Sequence, residues 1–138
     1  MLRQVRRFLE SHGEGRFGWW HRGGDDHAGK TLMRAGWRRM LNADGEPIKS
    51  NSQHLAEFGD RMPVDLGKDT SVEYFVTAEV FRSEVCAGFD YRAVCRVLLD
   101  HNCLKPDPGR PFDCRPRVPG VGHVQCYRIT PELLALDL

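Results

Sequence analysis

Between Thr77 and Ile129 the chain carries two helical patterns joined across Gly88, then an alternating stretch broken by Pro116. Few small architectures accept that order. Thr77 suits an N-cap, Glu79 stands where the helix dipole favours an anion, and Phe81 and Val85 fall four apart, which predicts a short helix over 78–86. Ala87-Gly-Phe89 turns the chain, and Asp90 caps a second helix over 91–103. In that helix Val94, Val97 and Leu98 face inward while Arg92, Arg96 and Asp100 run along the outer edge. After Lys105-Pro-Asp-Pro-Gly109, the residues Phe112, Cys114, Pro116 and Val118 alternate with Asp113, Arg115 and Arg117, a strand pattern that Pro116 confines to an edge. Pro119-Gly-Val-Gly122 reads as a hairpin turn and 123–129 as the returning strand, with Thr130-Pro-Glu132 opening a short tail or helical turn. Strand, helix, helix, hairpin is the winged-helix order. The expected fold is therefore α+β and winged-helix-like, with 91–103 as recognition helix and 112–129 as wing.

The N-terminal half constrains less. Leu2, Val5, Leu9 and His12 form one helical stripe, with Arg3, Arg7 and Glu10 opposite, and Gly13 and Gly15 end the pattern. A short aromatic strand over 16–21 precedes the Gly-Gly-Asp-Asp break at 23–26, and a strand over 31–39 is expected to pair with 73–77. Trp19, Trp20 and Trp37 are expected in the core. Residues 41–71 are polar, acidic and rich in turn formers, with at most a short helix over 53–58, and read as a long mobile loop. A chain of 138 residues matches one domain, 1–138.

With 41% hydrophobic and 28% charged residues the composition is that of a globular protein. No apolar run approaches a membrane span and no secretory leader is evident, so a cytoplasmic protein without a membrane partner is expected. Cys86, Cys95, Cys103, Cys114 and Cys126 are odd in number and contain no CxxC pair, which favours free buried thiols over disulfides or a metal. His101 and Cys103 are the nearest approach to a ligand pair, and no second pair stands at zinc spacing, so neither metal nor cofactor is expected.

Charge is distributed unevenly beneath a net +1. The cations are 16 Arg against 4 Lys, and a planar guanidinium binds phosphate bidentately where an ammonium cannot. Residues 40–73 carry seven anions and three cations, whereas 105–128 carry five cations and two anions. On a winged helix, Tyr91, Arg92 and Arg96 would meet nucleic acid from the recognition helix, and Arg115, Arg117 and Arg128 from the wing. The competing expectation is structural: Arg96 paired with Asp100, Arg92 with Glu84 or Asp90, and the wing arginines solubilising an edge.

Gly24-Asp-Asp-His-Ala-Gly-Lys-Thr31 satisfies the P-loop pattern, and Val97-Leu-Leu-Asp100 resembles an apolar run ending in a magnesium-holding Asp. The context opposes a nucleotide site. No buried apolar strand precedes the motif, Gly36 spoils the helix that should follow, and Asp25 and Asp26 would aim charge at the phosphates. No nucleophile elbow, HExxH or paired-carboxylate motif stands out, so no catalytic residue is assigned and a binding module is expected.

Residues 74–107, with Glu84-Val-Cys-Ala-Gly-Phe-Asp90 the most specific piece, together with Ser11-His-Gly-Glu-Gly-Arg-Phe17, Ala35-Gly-Trp-Arg-Arg39 and the stretch from Arg115 to Ile129, resemble a known family. The resemblance is to the C-terminal region of a large bacterial family of unknown function, described as superfamily II helicase/primase-like proteins of plasmids, phages and integrative elements. It covers most of the chain apart from 41–71 and leaves 24–31 as a poorly matching insertion. In that family the ATPase core lies upstream of the matching region and is not contained in these 138 residues. The resemblance therefore implies a detached or separately encoded accessory domain of a DNA-replication or mobilisation protein and no catalytic residue, while DNA binding itself is expected from the arginine pattern. The second reading it allows is a module docking onto a helicase or primase core through Trp19 or Trp20.

Overall fold

The structure, a computed structural model, describes residues 1–20, 34–47 and 70–137. It is an α+β arrangement of helices against a mixed four-stranded sheet. The strands are β1 (Phe17–Trp19), β2 (Gly36–Leu41), β3 (Ser71–Thr77), the two-residue β4 (Arg117–Val118) and β5 (Gly122–His123), and β6 (Cys126–Ile129). The main sheet runs β1-β2-β3-β6, with β1 parallel to β2 and the other pairs antiparallel. The helices are α1 (Leu2–His12), α2 (Ala78–Val80) running directly into a π-helical turn (Phe81–Val85), α3 (Tyr91–Asp100) and α4 (Glu132–Ala135). Among the described residues no helix is long and apolar enough to cross a membrane.

Strand alternation divides the sheet into two unlike faces. Phe17, Val76, Tyr127 and Ile129 point to one side and join Val5 and Leu9 of α1, Phe81 and Val85 of the π turn, and Val94, Cys95 and Leu98 of α3 in the main core. Each such large apolar side chain, fully buried, contributes roughly 1.5–3 kcal/mol. Trp37, Phe75 and Cys126 point to the other side and pack with Cys114, bridged to Cys126, and with Val118, which the β4–β5 ribbon lays over that face. The expected pairing of the second strand with 73–77 is present, with Trp37 opposite Phe75 and Arg39 opposite Glu73. Gly36 makes that register possible, because a Cβ there would lie 1.7 Å from the Phe75 carbonyl oxygen.

Several expected boundaries shift. The second strand begins at Gly36 rather than 31, and residues 31–33 fall outside the described residues. The second helix stops at Asp100 instead of 103, because Asn102 adopts a left-handed conformation (φ 59°) and the Cys103 amide folds back onto the Leu98 carbonyl at 2.8 Å. The first helix of the pair changes character midway, the Cys86 amide donating to the Phe81 carbonyl five residues earlier at 2.9 Å. That wider turn buries Phe81, Val85 and Cys86 together. Gln4 of α1 then donates its side-chain amide to the Val85 and Ala87 carbonyls at 2.7 and 2.8 Å.

The predicted wing is corrected most. Its returning strand does not stand free: Cys126–Ile129 pairs with β3, Cys126 also meeting Cys114 in an isolated bridge and Ile129 meeting Leu104. Only the 117–118 and 122–123 ribbon remains, and Val118 holds it against the sheet. Apolar residues on both sides of β6 are the physical reason, since Tyr127 and Ile129 fill one core while Cys126 fills the other.

Candidate nucleic-acid interface

Asp90 accepts a hydrogen bond from the Arg92 amide at 3.2 Å and so starts α3. This cap fixes the direction in which Tyr91, Arg92 and, one turn on, Arg96 leave the helix. Arg92 and Arg96 are exposed and Tyr91 is half-buried. The Arg92 guanidinium lies over the Tyr91 ring, 5.3 Å from its centre. A second guanidinium, from Arg82 on the π turn, lies over the same ring at 4.6 Å. Arg82 is anchored from below, its Nε donating to the buried Tyr127 hydroxyl at 2.9 Å. That hydrogen bond holds the Arg82 pKa above its ordinary value, while burial pushes the Tyr127 phenol up against it.

The ion pairs that a purely structural role would require are not formed. Among the described residues neither Arg92 nor Arg96 has a carboxylate partner, and Asp100 pairs with neither. Nearby carboxylates are committed elsewhere. Glu84 receives both terminal nitrogens of Arg16 at 2.8 and 2.9 Å, which holds its carboxyl below the usual range. Asp113 is gripped by Arg110 at 2.8 and 2.9 Å and by Gln125 at 2.7 Å, and is lowered chiefly by Arg110. The Arg82–Tyr91–Arg92–Arg96 surface therefore presents three cations, with the carboxylates of Asp90 and Asp100 at the two ends of α3 not ion-paired to Arg92 or Arg96 among the described residues.

The structure does not bring all the expected residues together. Arg115 and Arg117 are exposed, but they leave the segment packed on the sheet face opposite α3. Arg128 is committed to the sheet: it grips Glu73 through Nε and Nη2, the latter at 3.1 Å, and lies over Phe75, with 22% of its side-chain surface in water. Arg82 was missed because a regular 3.6-residue repeat cannot anticipate the π turn that sends it toward Tyr91. Its signal in the sequence was only its place beside Phe81, on the exposed side of an amphipathic segment.

Three further arginines in or next to β2 lie over aromatic rings. Arg38 lies 4.2 Å over Trp19, Arg39 lies 4.7 Å over Trp20 and Arg34 lies 5.2 Å over Trp37. Burial lowers the pKa of both Arg38 and Arg39. Trp37 is buried as expected, while Trp19 and Trp20 are half-buried rather than in the core, Trp20 packing on Phe75 at 4.5 Å between centres. A groove of about 850 Å³ at the ends of β2, β3 and β6 holds Lys105 and Glu132 beside the already paired Glu73 and Arg128. The P-loop pattern at 24–31 and most of the 41–71 loop lie outside the described residues. All five cysteines are free and buried, and among the described residues no group of His, Cys, Asp and Glu could hold a metal ion.

Compared with protein-family models, with curated protein sequences and with solved structures, the chain shows no match.

Proposed function

We propose that this chain is a nucleic-acid-binding accessory domain whose contact surface is Arg82, Tyr91, Arg92 and Arg96. The observation that carries the reading is the convergence of two guanidiniums on one half-buried tyrosine, with a third a helical turn away and, among the described residues, no carboxylate pairing Arg92 or Arg96. Three such groups offer phosphate contacts. The order helix, turn, helix, ribbon is that of a winged helix. In this proposal its second helix carries the contact, and the ribbon arginines 115 and 117 form a separate, lesser patch. DNA as the partner rests on this guanidinium surface, and the resemblance to helicase/primase-like proteins of mobile elements would add attachment to such a core as context.

The test is fluorescence anisotropy with labelled DNA across a salt series. Affinity should fall steeply between about 50 and 200 mM salt, and each arginine removed should flatten the logarithmic slope by about 0.7–0.9. Arg92→Ala with Arg96→Ala should weaken binding more than Arg115→Ala with Arg117→Ala. Binding that ignores salt, or that survives the first pair unchanged, would overturn the proposal.

A further inference from the structure

Phe89 occupies the position just before the Asp90 cap of α3. An apolar residue there ordinarily folds back as a staple onto the fourth residue of the helix, here Val94. Val94 is instead sealed in the main core, and Phe89 remains 44% exposed. It belongs to neither apolar cluster and stacks on no other described ring. The ring is not on a loose loop. Gly88 takes a φ of +87° that favours glycine, the Phe89 amide donates to the Cys86 carbonyl at 2.8 Å, and the Asp90 cap follows at once. A fixed turn thus displays an aromatic face three residues before Arg92, within about 11 Å along the chain. Arg82 lies over the intervening Tyr91.

We infer that the preferred ligand of this surface is single-stranded nucleic acid, with an unpaired base stacking on Phe89 while Arg82, Arg92 and Arg96 hold the flanking phosphates. The inference rests on the nucleic-acid reading above and adds the strand form to it. Duplex DNA keeps its bases stacked on one another and offers the ring nothing to cover. An unpaired base offers a π face, and its backbone supplies the anions that the adjacent guanidiniums need. Tyr91 cannot serve as the platform in the same way, because two guanidiniums already lie over it.

The experiment compares labelled oligothymidylate of about 16 nucleotides, a blunt duplex of the same length and a strand of equal phosphate count made of abasic spacers, by anisotropy at low salt. Wild type should prefer oligothymidylate to both others. Phe89→Ala should weaken oligothymidylate binding by roughly 5- to 100-fold with the salt slope unchanged, and should leave the abasic strand nearly unaffected. Phe89→Trp should retain or improve the wild-type affinity, and circular dichroism of each variant should match wild type because the ring is outside the core. Salt-sensitive binding in which duplex equals single strand, or in which Phe89→Ala is silent, overturns the stacking inference and leaves the nucleic-acid reading intact. No salt-sensitive binding to any of the three overturns both, and Phe89-dependent self-association in that case would make the ring a protein contact.

Discussion

Glu73 is held diagonally across the β3–β6 pair by Arg128, which donates from two nitrogens, while Arg39 on the opposite neighbour β2 approaches the same carboxylate to 3.5 Å. Glu73 is only 1% exposed, so one buried anion ties three adjacent strands through two cations. Glu73→Gln would leave both guanidiniums without their counter-charge. The expected loss is about 3 kcal/mol, the lower end of the range for breaking a buried pair, because Arg128 and Arg39 keep 22% and 20% of their side-chain surface in water. Urea unfolding measures it, and a loss under about 1 kcal/mol would show that the triad contributes specificity of pairing rather than stability.

Gly36 is required by contact with its neighbour strand. Gly36→Ala drives a Cβ into the Phe75 carbonyl, with no flexible side chain able to yield, so β2 must separate from β3 or slip. A loss of about 3 kcal/mol or more is expected, with lower soluble yield. A variant as stable as wild type would show that the register drawn here is wrong.

Arg82 differs from Arg92 in what it leaves behind when removed. Arg82→Ala strands the buried Tyr127 hydroxyl and should cost about 1–3 kcal/mol, whereas Arg92→Ala, whose exposed guanidinium satisfies no buried group, should stay within about 0.5 kcal/mol. Adding Tyr127→Phe to Arg82→Ala removes the stranded hydroxyl and should recover part of the loss, which a double-mutant cycle measures. Equal losses from the two arginines would contradict the anchoring role.

The thiols give the protein an alkaline limit. Burial pushes Cys86, Cys95, Cys114 and Cys126 from 9.0 up to about 12, and raises Tyr74 and Tyr127 in the same direction. Below pH 9 both folded and unfolded thiols are protonated and the full stability is present. Between 9 and 12 the unfolded chain releases protons that the folded one retains, so stability falls as pH rises. The melting temperature should drop as the pH rises from about 9 toward 12, and the thiols should react with a disulfide reagent only after denaturation. Rapid labelling of native protein at neutral pH would refute this.

Much of the local structure was legible along the chain. Leu2, Val5 and Leu9 on one stripe, Asp90 as a cap, and the pairing of the second strand with 73–77 all follow from side-chain period and capping chemistry, and each stands as expected. The candidate site was legible only in part. Tyr91, Arg92 and Arg96 share a surface because one helix carries them, but Arg82 joins through a π turn that no regular repeat announces.

What the sequence determined by itself is therefore the order of the main helices and strands and, for most of them, which side chains leave on the buried side, since helical and strand periods are local properties of the backbone. Only the tertiary structure decided that Cys126–Ile129 would be claimed by β3, that α3 and the 117–123 ribbon would lie against opposite faces of one sheet, and that Arg128 would be spent on Glu73. Those outcomes depend on which apolar faces are buried against each other, a competition among residues far apart in the chain that a local period does not encode.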